Sequence, residues 1–212
     1  MSEDRTRALL SIVQQIGCAH VHITPATLGH WVGEHEPLHP TFACLSATHQ
    51  ADYLRAYLLH VHGGGYTDIK PTRQDWHPFF AQLEAVGALG LGYREIGPHG
   101  VAPVGGALQA ELEARHAELL GFCAMIFRPR SVFTARWLAG VHDTLDRHAP
   151  ALAQHPARHP QDRLGALFTD GSHSAYPLRW TELGGDLFHP LCLTYADQLL
   201  QADIAPQFTA YR

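Results

Sequence analysis

An α/β fold with a mainly parallel sheet is what this 212-residue sequence predicts, and three observations carry the prediction. Stretches with strand character alternate with amphipathic helical stretches along most of the chain. One continuous apolar run, Gly121 to Phe127, fits a strand buried at the centre of a sheet. The composition, 46% hydrophobic and 17% charged, is that of a folded globular chain, and the length suits a single domain over residues 1–212 with its own core.

The elements follow from local pattern. Leu9, Leu10, Ile12, Val13 and Ile16 form one apolar stripe, which predicts a helix over 4–16 that ends at Gly17. Ala19 to Ile23 alternates as a strand would, and Thr24-Pro25 opens a short helix through Leu28, Trp31 and Val32. Glu34 to Pro40 is a polar loop. Ser46 is a candidate N-cap for a helix over 46–61, with Ala47, Leu54, Leu58 and Val61 on its apolar face. Tyr66 to Ile69 reads as a short strand, Trp76 to Val86 as a helix, and Ala88 to Ile96 as a strand. A helix over 107–120 leads into the apolar run, and Ser131 caps a helix to about Arg147. Three prolines within 149–162 predict an exposed linker. A compact glycine-aromatic block, Tyr176 to Pro190, precedes a last helix over 193–200 and a tail.

The formal charge of -5 and pI near 6.4 give no electrostatic footprint for nucleic acid. No long apolar span predicts a transmembrane helix. Met1-Ser2-Glu3-Asp4-Arg5 is polar and lacks the apolar core of a signal peptide, so a cytoplasmic location is expected. Cys18, Cys44, Cys123 and Cys192 are widely spaced and read as reduced, buried thiols. The 17 histidines include His20 with His22, His35 with His39, and His60 with His62, but no such pair supplies the three or four convergent ligands of a zinc site.

Chemistry concentrates between Ala51 and Lys70. Asp52 and Arg55 stand at i and i+3, so they share a helical face and can pair. Gly63-Gly64-Gly65 stops the helix and permits close backbone approach, and a short run then ends on Asp68. Taken singly these features are an intrahelical ion pair and a helix stop. Together they make a layout suited to a charged ligand.

At Ala51-Asp52-Tyr53-Leu54-Arg55, His62-Gly63-Gly64-Gly65-Tyr66-Thr67-Asp68, Leu38-His39-Pro40, Phe127-Arg128-Pro129 and Tyr176 to Pro190, the sequence resembles the DXD-containing glycosyltransferases of family 32 and related capsular polysaccharide synthesis proteins. The resemblance implies a GT-A-like fold of Rossmann-type α/β/α layers. It implies a nucleotide-sugar donor (a UDP-sugar is one candidate), a glycan or small-molecule acceptor, retention of configuration, and Mn2+ or Mg2+. It also implies donor-binding roles for Asp52, Arg55, Gly64, Gly65, Tyr66 and Asp68, with Asp68 as the first DXD aspartate and a metal ligand. Asp-Ile-Lys stands at the DXD position, so Lys70 replaces the second aspartate. A lysine there repels a cation and can itself neutralise a diphosphate.

In that family a strand precedes the helix expected at 4–16; with no counterpart ahead of that helix in this sequence, the resemblance implies either a shortened N-terminus or a sheet missing its first strand, which would leave an exposed sheet edge. Glu182, Asp186 and His189 are spaced i, i+4, i+7, as on one helical face. That face would supply the catalytic carboxylates Glu182 and Asp186 and a late metal ligand in His189; a solvated acidic helix is the other reading. Trp180 reads as core. Two further readings remain at this point: a catalytically inactive GT-A-like binding or partner-dependent module, and a histidine-rich metal-binding protein.

Overall fold

The computed structural model describes residues 2–208; Met1 and residues 209–212, the end of the expected tail, lie outside them. Six α-helices are present among these residues: α1 (Glu3–Gln15), α2 (Ala47–Val61), α3 (His77–Val86), α4 (Gly106–Ala114), α5 (Val132–Gln154) and α6 (Gly185–Thr194). Four strands, β1 (Gly64–Thr67), β2 (Gly90–Arg94), β3 (Leu120–Phe127) and β4 (Leu199–Gln201), form one sheet in the order β1-β3-β2-β4. The apolar run at 121–127 is indeed central, and period-2 alternation divides its side chains. Met125 and Phe127 enter the larger core with α2, α5 and α6, while Ala124 and Ile126 enter a second core with α1 and α3. The chain is thus α/β, with helices on both faces of the sheet.

The sheet is mixed, which corrects the expectation of a mainly parallel one. Both β1 and β2 run antiparallel to β3, and only β2 and β4 are parallel. The cause lies in residues 95–119. Arg94 pairs with Leu120, so this connection leaves and re-enters at the same end of the sheet. Helix α4 within it is an excursion that packs against α6, not a crossover. Helix-strand alternation in a sequence carries no strand direction.

Three boundaries also differ. Residues 19–23 form no strand: His20, Val21 and His22 are exposed, and no ladder partner holds them. The outer edge of β1 is accordingly unpaired by any described strand. Helix α5 runs to Gln154, through part of the expected linker and through Pro150. Leu152 is fully buried, and its packing holds the last turns although Pro150 removes one helical hydrogen bond. The final helix is α6, not 193–200: it ends at Thr194, and Leu199–Gln201 is drawn into the sheet beside β2. The predicted N-caps hold, with Ser46 Oγ accepting from the His49 N–H and Ser131 Oγ from the Thr134 N–H.

Candidate functional site

Helix α2, strand β1 and the turn after it bring Asp52, Arg55, Tyr66, Asp68 and Lys70 to one wall of a cleft of about 1060 Å3. Arg55 is the hub. Its Nη1 donates to Asp52 Oδ1 at 3.2 Å, and its Nη2 donates to Tyr66 Oη at 2.7 Å and to Asp68 Oδ1 at 3.2 Å. Tyr66 Oη donates to the same Asp68 oxygen at 2.8 Å, and Lys70 Nζ donates to Asp68 Oδ2 at 2.8 Å and to Cys123 Sγ at 2.9 Å. The Arg55 guanidinium is sandwiched between rings, 3.8 Å from the centroid of Phe122 and 4.2 Å from that of Tyr66. Arg55 and Asp52 are both buried, so the helical pair read from the sequence is an interior one.

The charges in this network are unequal in strength. Burial pushes the Asp52 carboxyl up to about 7, against the pull of Arg55. Burial also opposes ionisation of Asp68, but Arg55 and Lys70 outweigh it and hold that carboxyl below its ordinary value. Lys70 moves the other way: burial disfavours its charge, and Asp68 more than restores it, so its pKa is raised. Two firm cations therefore face one firm carboxylate and one carboxyl that is half-neutral near pH 7. The wall carries a positive excess, and excess positive charge in a partly desolvated cleft attracts anions.

The C-terminal block closes the other side. Gly184 and Gly185 let it approach closely: a Cβ on Gly184 would lie 2.9 Å from the Phe122 ring and 3.3 Å from Asp52 Oδ2, and one on Gly185 would lie 2.8 Å from Ala102 Cβ. Helix α6 starts there, so its positive end lies on the cleft wall. Glu182, Asp186 and His189 do not share a helical face, because α6 begins only at Gly185 and Glu182 sits in the preceding turn. Glu182 accepts from the Arg179 backbone N–H at 2.8 Å, pairs with His148 Nε2 at 3.0 Å, and is not among the residues lining the cleft. Asp186 pairs with Arg179 at 2.6 Å. Trp180, expected in the core, is 43% exposed and lines the cleft.

The donor set does not fit a divalent cation held between Asp68 and His189. Both Asp68 oxygens are taken by cationic or phenolic donors. His189 lines the cleft, but its Nδ1 accepts the Ala102 N–H at 3.0 Å and its Nε2 faces Glu95 at 3.7 Å. Burial lowers the His189 pKa to about 4, so the ring is neutral and positions the 99–103 loop. Among the described residues, Asp68 belongs to no group of three or more His, Cys, Asp or Glu ligands.

Gly64, Gly65 and Tyr66 form β1 itself. Gly64 has a left-handed φ of +87°, and a Cβ on Gly65 would lie 2.7 Å from the Trp76 ring. Sequence reasoning missed Phe122, Cys123 and the Val101–Pro103 wall. The first two belong to the apolar run, where nothing distinguished site-facing from core-facing positions. In comparisons with known proteins, no family model, no curated protein and no solved structure matches this chain.

Proposed function

We propose that this chain is a GT-A-like glycosyltransferase that moves a sugar from a nucleotide-sugar donor to a glycan or small-molecule acceptor with retention of configuration. The observation that carries the reading is the paired set Asp52, Arg55, Asp68 and Lys70 on the wall of a cleft large enough for such a donor. Transfer breaks the bond between the anomeric carbon and the diphosphate oxygen, and the diphosphate leaves with the electron pair. The acceptor oxygen bonds to that carbon, and its proton passes to the departing diphosphate oxygen. Charge grows on the leaving oxygen, and fixed cations stabilise it where they are already oriented. Lys70 and Arg55 supply those cations in this reading, in place of a Mn2+ or Mg2+ ion. Asp52, with a carboxyl near 7, suits a contact to a sugar or ribose hydroxyl at neutral pH. A cytoplasmic site of action fits the absence of any described helix long and apolar enough to cross a membrane.

A screen of common nucleotide sugars, read by NMR for donor hydrolysis with and without EDTA, tests both parts. Turnover that EDTA leaves intact is the expected result. Strict dependence on manganese or magnesium would refute the built-in cation. The second reading, a non-catalytic binding or partner-dependent module, is favoured by the full pairing of Asp68 within the protein. It predicts nucleotide binding by thermal shift without turnover; neither binding nor turnover refutes the donor site altogether.

A further inference from the structure

We propose that Cys18, Asp75 and His77 form a site for a borderline-soft transition-metal ion, zinc foremost, where the end of α1 meets the start of α3. One ligand atom from each residue lies within 4.8 Å of the other two. The three residues come from two short segments, Gly17-Cys18 just past α1 and Asp75-Trp76-His77 at the start of α3. The segments are pinned together. The Trp76 N–H donates to the Ile16 carbonyl at 2.9 Å, and the Trp76 ring is buried.

Gly17 explains how the carboxylate gets so close. It has a left-handed φ of +70°, and a Cβ built on it would collide with the Asp75 carboxyl. The glycine thus leaves a seat that Asp75 fills beside Cys18. Asp75 Oδ1 also accepts the His77 backbone N–H at 2.9 Å and lies 3.4 Å from His77 Nδ1, which fixes the carboxylate relative to the imidazole.

The donor chemistry selects the ion. Thiolate, imidazole and carboxylate together suit zinc or cobalt, whereas magnesium and calcium call for oxygen ligands throughout. Asp75 and His77 have side chains 59% and 68% exposed, so an ion enters from solvent and water completes a tetrahedral shell. None of the three residues lines the cleft of the donor site, so the proposal is independent of the glycosyltransferase reading. Bound metal would tie α1 to α3 across the second core.

Cobalt titration of the purified, chelator-treated chain tests it, because a cobalt–thiolate bond gives a charge-transfer band that the other histidines cannot mimic. The expected result is one equivalent of Co2+ with that band, displaced by Zn2+, and a melting temperature raised by Zn2+. Cys18→Ser abolishes the band, while Asp75→Asn and His77→Ala weaken cobalt binding at least about tenfold, the lower end of what even outer-shell changes cost. Melting of each variant without metal verifies that it is folded. Cys18 and His77 are not core residues, so a folded form of at least one variant is expected. Absence of the band in the wild-type chain, or a band that persists in folded Cys18→Ser, overturns the proposal.

Discussion

Replacing Asp52 with asparagine separates two accounts of the buried pair with Arg55. If Asp52 were an ordinary ionised partner, its loss would leave a buried cation short of charge, at a cost of about 3–5 kcal/mol. The structure supports the opposite sign. The folded carboxyl titrates near 7, against 3.8 for an unburied one. Between those values the folded state keeps a proton that the unfolded state has lost, so stability falls as pH rises through the window and levels off above about 7. Each factor of ten in proton affinity is worth about 1.36 kcal/mol, which makes the whole loss about 4 kcal/mol, more than half of it between about pH 5 and pH 8. Asparagine has the same shape and no charge to desolvate, and Arg55 keeps Asp68 and Tyr66. Urea unfolding of both chains near pH 5 and near pH 8 measures the difference. Asp52→Asn should gain on the wild type by about 2 kcal/mol or more over that interval, while donor binding weakens. A variant equally destabilised at both pH values would refute the reasoning.

Three other variants have outcomes that follow from the same structure. Lys70→Met removes one of the two cations that hold Asp68 ionised, so it should destabilise the chain most at neutral pH, with the gap closing only as pH falls below the ordinary carboxylate range and through the depressed value of folded Asp68. The same variant should weaken nucleotide binding in a thermal-shift titration at least about tenfold, since charge-assisted contacts contribute about 1.5–3 kcal/mol. His189→Gln should lose less stability than the wild type as pH falls from about 6.5 to about 4, because buried His189 resists a proton that the unfolded chain accepts; the difference, about 3 kcal/mol in full, is read by unfolding across that range. Leu152→Ala should cost about 2–5 kcal/mol by urea unfolding if the turns after Pro150 are anchored by this side chain.

The parts of the site legible in the sequence were those set by local spacing. Asp52 and Arg55 at i and i+3, the glycine stop and the aspartate that ends the short strand are all within 17 positions, from Asp52 to Asp68. What the sequence withheld depends on strands meeting across the sheet. Phe122 reaches Arg55, and Cys123 reaches Lys70, only because β3 runs antiparallel beside β1, and no periodicity encodes that direction. The face expected of Glu182, Asp186 and His189 failed for a similar reason. Their spacing fits a helix, but α6 begins only at Gly185, so Glu182 lies in the preceding turn, and Arg179 holds both Glu182 and Asp186 while His189 accepts the Ala102 N–H.

Asp68 shows why identity at one position does not settle chemistry. In a paired-aspartate site, a second carboxylate at position 70 would add negative charge and call for a cation between them. Here the residue two positions on is a lysine whose ammonium lies 2.8 Å from the carboxylate. Arg55 approaches the other oxygen, so Asp68 acts to hold two cations in register. Its ionisation is maintained by them, and theirs is favoured by it. A diphosphate arriving at such a wall meets cations already oriented and partly desolvated, the condition under which fixed charge stabilises a leaving group most. Burial is the main reason the Asp52 carboxyl is pushed up to about 7; Arg55 opposes the shift and the neighbouring Asp68 charge adds to it. Conversion of Lys70 to aspartate should therefore do more than remove a cation. It would place two carboxylates beside one arginine and, on the proposed reading, make turnover depend on added Mn2+ or Mg2+, which an EDTA titration of the variant checks; turnover that EDTA leaves intact would refute it.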